Sequence, residues 1–139
     1  MAVQIDITYQ GGLKCAATHG PSQATLMTDA PVDNGGTGST FSPTDLVATA
    51  LGSCMATIMG LIAQRNGLNI EGVKIGVTKE MVADPVRRIG SLNTRIVFPR
   101  GGTLSGADRA KLEAGAKSCP VKQSLHPDVQ IKLEFVYLD

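Results

Sequence analysis

Ser42-Pro43-Thr44-Asp45-Leu46-Val47-Ala48-Thr49-Ala50-Leu51-Gly52-Ser53-Cys54-Met55-Ala56-Thr57-Ile58-Met59-Gly60-Leu61-Ile62-Ala63-Gln64-Arg65-Asn66-Gly67 reads as one long helix with a cysteine near its middle. Ser42 suits the N-cap, and Pro43 suits the first helical position, where its missing N–H costs nothing. Asp45 lies in the first turn, where the positive end of the helix dipole favours a carboxylate. Gly67 stops the helix, and Arg65 sits in its last turn.

No charge falls between Asp45 and Arg65. Ala, Thr, Gly and Ser dilute the run below the apolarity of a membrane span of roughly 20 residues. The reading is therefore a helix buried on nearly all sides of a soluble core. Val47, Leu51, Cys54, Ile58, Leu61 and Ile62 form a bulky stripe at helical spacing. Gly52, Ala56 and Gly60 form a second ridge of small residues, open to close approach by another helix, including the same helix of another subunit. Each glycine costs about 1 kcal/mol of helix propensity against Ala, which close packing would offset.

The chain has 139 residues and a formal net charge of +1. That length suits one domain, residues 1–139, with a substantial core. Two Tyr, three Phe, no Trp and no basic stripe argue against nucleic-acid binding. Residues 1–6 lack the basic and apolar regions of a signal peptide, so a cytoplasmic location is expected. Three cysteines, Cys15, Cys54 and Cys119, do not make a disulfide framework. Their spacings match no zinc pattern, and the only histidines are His19 and His126, so no metal is expected.

Residues 3–9 alternate, with Val3, Ile5, Ile7 and Tyr9 on one side, and read as a half-buried strand. Residues 13–18 and 24–28 add two strands, making a β-meander. Residues 33–40, Asp-Asn-Gly-Gly-Thr-Gly-Ser-Thr, form a glycine-rich loop before the helix. Its spacing fits neither a P-loop nor a dinucleotide fingerprint, so it reads as a flexible lead-in. Residues 73–78, extending towards 82, and 91–98 read as an antiparallel hairpin broken by Asp84-Pro85. Ser105 and Asp108 resemble a capping box opening a second helix. That helix stops by Ser118, because Pro120 disfavours helical geometry at Cys119. Residues 120–125 form a short helix capped by Cys119, and residues 129–138 alternate as a closing strand. The order βββ-α-ββ-α-β gives an α+β class.

Cys54 alone reads first as a small core hydrophobe. Cys119, at a helix start with Lys117 and Lys122 nearby, sits where a thiol pKa is lowered, and for it a reactive and a structural reading stand about even. Spacing alone does not say that the two meet.

Ser42-Pro43-x-Asp45-Leu46-x-x-x-Ala50-Leu51-Gly52-Ser53-Cys54, with Cys119-Pro120-Val121-x-x-Ser124-Leu125 much later, resembles the OsmC/Ohr family of osmotically inducible and organic hydroperoxide resistance proteins. The resemblance covers nearly the whole chain. It implies the OsmC-like fold and an intertwined homodimer with long cysteine-bearing helices enclosed by sheets. It maps the peroxidatic cysteine onto Cys54 and the resolving cysteine onto Cys119. The implied activity is reduction of organic or lipid hydroperoxides through a Cys54 sulfenic acid and a Cys54–Cys119 disulfide, with an external dithiol, such as a lipoylated protein, as reductant and no cofactor.

The family's peroxidases use an arginine from the N-terminal strands and a glutamate ten residues before the cysteine. Here the first 64 residues hold no arginine, Thr44 stands at the glutamate position, and Asp45 lies nine residues before Cys54. The chain thus looks closer to the OsmC-like branch with Ser-Pro-x-(Glu/Asp)-Leu. Asp45 with Lys14, or with Arg87 or Arg88, is the candidate pair for tuning Cys54. Cys15 reads as packing, and His126 as a turn residue. Two rivals stay open: a redox-sensing thiol protein, and a non-enzymatic module binding a hydrophobic ligand.

Overall fold

The computed structural model describes residues 1–139. The chain divides into two compact units, Met1–Val47 and Ala48–Asp139.

The first unit is a meander of β1 (Ile5–Gly11), β2 (Lys14–His19) and β3 (Thr25–Asp29), followed by the glycine-rich loop. Adjacent strands pair antiparallel, in the order β1-β2-β3. Tyr9 lies opposite Cys15, and Ile7 opposite Ala17, which in turn lies opposite Leu26. Alternation therefore collects an apolar face. That face is not half-buried, as the alternation predicts: Ile5, Ile7 and Tyr9 are 52%, 63% and 64% exposed. Period-2 patterning reports which face wants cover, and nothing in the protomer supplies it.

The opposite face carries the cross-strand pair Lys14 and Asp29. Asp29 Oδ2 accepts from Lys14 Nζ at 2.9 Å, from the Ser39 N–H at 3.1 Å, from Ser39 Oγ at 2.9 Å and from Thr37 Oγ1. The Gly36 and Gly38 amides donate to Pro31 O and Ala30 O. A Cβ at Gly36 would collide with Ala30 O, so only glycine fits there. The loop is thus clamped onto the end of β3 rather than flexible, with Thr37 and Ser39 spent on Asp29 and Lys14.

The central helix, α1, spans Pro43–Arg65. Its start is a reciprocal capping box. The Ser42 Oγ accepts the Asp45 N–H at 3.1 Å, and Asp45 Oδ2 accepts the Ser42 N–H at 2.9 Å.

In the second unit α1 continues above a sheet of β4 (Lys74–Val82), β5 (Arg88–Phe98) and β6 (Leu133–Tyr137), in that order. The hairpin β4–β5 is antiparallel, as expected. The closing strand is shorter than residues 129–138 and pairs parallel to β5. Gln130 already bonds to Gly90 and Leu92 of β5, and Lys132 to Thr94, but the ladder becomes regular only from Leu133. A parallel pair needs a long crossover. Here it holds α2 (Gly106–Lys117) and α3 (Pro120–Ser124).

Leu51, Met55 and Met59 of α1, Leu92, Ile96 and Phe98 of β5, and Leu112 and Ala116 of α2 are buried together as the core. Each large side chain contributes roughly 2 kcal/mol by leaving water. Gly52 lets α1 close on β4: a Cβ there would lie 3.2 Å from Val77 and 3.4 Å from Ile75. The ridge predicted from Gly52, Ala56 and Gly60 therefore splits, since a Cβ at Gly60 meets nothing within 4 Å. Nor is α1 buried on nearly all sides. Ser53, Thr57, Leu61 and Gln64 are exposed along one face. By length and composition α1 could cross a membrane, yet its other face is the core of this unit.

Candidate active site

Cys54 lies on α1 between its buried and exposed faces. Leu51 and Ile58 flank it by one turn on one side, and exposed Ser53 and Thr57 lie on the other. Its residue is partly exposed, and its thiol is free.

Cys119 comes from the crossover. Ser105 caps α2, accepting the Asp108 N–H at 3.1 Å. The helix is pinned to β6 by Arg109, whose guanidinium lies 4.3 Å over the Tyr137 ring, and by Glu113, which accepts from the Tyr137 hydroxyl at 2.7 Å. It ends at Lys117, and Ser118 is its C-cap. Pro120 then opens α3, with Cys119 as N-cap as predicted. Cys119 Sγ accepts the Lys122 N–H at 3.3 Å. This cap places the sulfur inside the protein: Cys119 is 0% exposed and its thiol is free.

The two elements bring Cys54 and Cys119 close enough for the one thiol to influence the other. Burial pushes the Cys119 thiol pKa up, against the pull of the Lys122 and Val121 N–H groups. The neighbouring Cys54 sulfur adds to the rise. The expected lowering at the helix start is thus overturned. Lys117 is exposed to water, and α3 has only five residues, so neither matches the loss of hydration around the sulfur. Burial thus favours the protonated Cys119 thiol.

The other predicted site residues have occupations of their own. Lys14 is the cation of the Asp29 clamp, reaching Thr37 Oγ1 at 3.0 Å and Ser39 Oγ at 3.2 Å as well. Asp45 holds the capping box. Arg88 donates to Ile89 O on its own strand. His126 Nδ1 accepts the Asp128 N–H at 3.0 Å in an exposed turn. Cys15 is partly exposed on the apolar face of the first sheet. Sequence reasoning missed the Asp29 clamp, whose only signal is an acid between a strand and a Thr/Ser-bearing glycine loop.

The family model described as OsmC-like protein matches residues 36–134. The chain belongs to the OsmC-like protein family. A Psychrobacter arcticus 273-4 protein, named for an osmotic stress induced and detoxification response, is 43% identical. The match covers 94% of this chain and 93% of that one, with a TM-score of 0.88. The organic hydroperoxide resistance protein OsmC of Legionella pneumophila shares the fold at 17% identity, 98% and 97% coverage and a TM-score of 0.77. The organic hydroperoxide resistance protein OhrB of Bacillus subtilis does so at 17% identity, 97% and 98% coverage and a TM-score of 0.68. No curated protein sequence matches the chain. The mixed α+β architecture, with two three-stranded sheets, is the OsmC-like fold.

Proposed function

We propose that the protein is a cysteine-based peroxidase that reduces organic hydroperoxides, including those of lipids, in defence against oxidative stress. The observation that carries this reading is the neighbouring pair of free thiols, Cys54 partly exposed and Cys119 buried. The names of the fold relatives from Legionella pneumophila and Bacillus subtilis support it.

In the proposed cycle the Cys54 thiolate attacks the terminal oxygen of ROOH. The O–O bond breaks, ROH leaves after taking a proton, and Cys54 becomes a sulfenic acid, two electrons having passed from sulfur to oxygen. The Cys119 sulfur then displaces the sulfenic oxygen as water, forming the Cys54–Cys119 disulfide. An external dithiol, such as a lipoylated protein, returns both sulfurs to thiols and is itself oxidised to a disulfide. The chemistry draws on no metal or flavin. Ile58, half-buried beside Cys54, favours an apolar R group.

Asp45 and Lys14 enter this reading through the first turn of α1 and the loop that leads into it. The capping box and the Asp29 clamp fix the start of the helix that carries Cys54. We propose a homodimer as the working form, because the exposed Ile5, Ile7 and Tyr9 face and the open side of α1 both lack cover in one protomer. Free thiols suit a reducing cytoplasm.

The test is stopped-flow consumption of cumene hydroperoxide by the reduced protein, with mass spectrometry of the products. Wild type should consume peroxide fast and end in a Cys54–Cys119 disulfide. Cys54→Ser should abolish consumption, and Cys119→Ser should stop after one equivalent, at a sulfenic acid. Consumption no faster than that of a free thiol would overturn the peroxidase and leave a redox sensor or a ligand-binding module.

A further inference from the structure

We infer that Gly115 is a positioning residue for the cysteine pair: it sets the gap between α1 and α2 and thereby the reach of Cys119 to Cys54. The inference rests on the disulfide chemistry proposed above and not on the peroxide.

A Cβ at Gly115 would collide with Ile62 Cδ1 and lie 3.3 Å from Ile58 Cγ2. The backbone of α2 therefore lies directly on the ridge of α1 formed by Ile58 and Ile62. Ile58 is one helical turn from Cys54, on the same side of α1. On the other partner, Gly115 lies four residues before Cys119, and Ala116 and Leu112 beside it are both 0% exposed. Only Ser118 separates the end of α2 from the Cys119 cap. Cys119 is itself held from the far side, its sulfur bonded to the Lys122 N–H. With so little slack, a displacement of α2 away from α1 passes to the Cys119 sulfur. A side chain at position 115 would displace it. The larger overlap is with Ile62 Cδ1, which must move to admit the new Cβ, and the Ile58 contact must give by a few tenths of an ångström as well.

A disulfide needs its Cβ atoms about 3.5–4.5 Å apart. Small misplacements of this kind cost reactivity steeply, about a hundredfold per ångström in unfavourable cases. The quantity Gly115 controls is thus the effective concentration of one thiol at the other.

The test is the thiol–disulfide equilibrium of the pair in glutathione buffers, which involves no peroxide. In Gly115→Ala the effective concentration should fall about tenfold. For a two-electron couple that is a potential about 30 mV less reducing. Ile62→Val removes the methyl that the new Cβ meets. Added to Gly115→Ala, it should restore the equilibrium to within about twofold of wild type, as contacting residues couple. Ile62→Phe fills the same gap from the α1 side and should lower the effective concentration even if Gly115→Ala folds poorly. A potential unchanged in both Gly115→Ala and Ile62→Phe would reduce Gly115 to a packing residue and overturn the inference. So would a failure of Ile62→Val to restore it. A shifted potential in a protein that consumes no peroxide would sink the peroxidase reading and leave this one standing.

Discussion

The Lys14–Asp29 clamp and the Cys54–Cys119 pair both bury a titratable side chain, yet the two groups shift in opposite directions. Asp29 is 1% exposed, yet its carboxyl is held far below the usual carboxylate range. The Lys14 ammonium is the largest cause, followed by Thr37 and the Ser39 amide, and burial opposes them. Cys119 is 0% exposed and its thiol is pushed up. Here burial is the largest cause, and two backbone N–H groups fall short of it. The difference lies in the partners. A carboxylate given a cation and three further donors keeps its charge inside the protein. A sulfur given weak N–H bonds and another sulfur keeps its proton. The first region is locked for structure, and the second is left able to react.

The largest effect should come from emptying the clamp. Asp29→Leu removes the acceptor on which Lys14, Thr37 and Ser39 converge. It should release the glycine-rich loop, giving fast amide exchange and early proteolysis across residues 33–42. The Cys54–Cys119 potential should not move. The charge also fixes a pH response. A carboxyl held low stabilises the folded state above its unfolded pKa of about 4 and loses that contribution as pH falls further. Wild type should therefore lose loop protection progressively in acid, and Asp29→Asn should be weaker at neutral pH but flat through that range. An acid response unchanged in Asp29→Asn would assign it to other carboxylates.

Next comes the thiol. Alkylation of Cys119 in a Cys54→Ser variant should rise with pH through a midpoint above the ordinary thiol value of about 8.5. Burial, the largest cause, remains in that variant, opposed as before by the Lys122 and Val121 N–H groups. The stability consequence has the opposite sign to the clamp's. A thiol pKa raised by folding leaves its stabilisation whole below the unfolded value and removes it as pH climbs towards the folded one. A midpoint at or below 8.5 would mean that the α3 start outweighs the dry surroundings after all.

What could be read from the sequence divides along the same line. Local chemistry was legible. Pro43 and Pro120 fix helix starts through their own rings, so Ser42 and Cys119 were placed as caps without any tertiary knowledge. The α+β class and nearly every strand followed from alternation. What depends on a partner in space was not legible. Nothing in the spacing brought Cys119 to Cys54; the family resemblance did. Alternation marked Ile5, Ile7 and Tyr9 as apolar but could not say that one protomer leaves them bare. The sign of the Cys119 shift was misread because a helix start is visible in sequence and a dry environment is not. Asp29 and Gly115 look ordinary in a string of letters, since their importance lies in what touches them.

The smallest effect tests whether Asp45 belongs to the locked region or to the reactive one. Its carboxylate accepts the Ser42 N–H while Ser42 Oγ accepts its own N–H. If capping is its whole work, Asp45→Ala and Ser42→Ala should each cost about 1 kcal/mol in urea unfolding. The double variant should cost less than their sum, because the two bonds form one box. Peroxide consumption should then fall alike, if at all, in both variants. A rate that drops tenfold or more in Asp45→Ala but holds in Ser42→Ala cannot come from the shared cap. It would move Asp45 across the divide, making it a carboxylate that orients the chemistry at Cys54 as well as a cap on the helix that carries it.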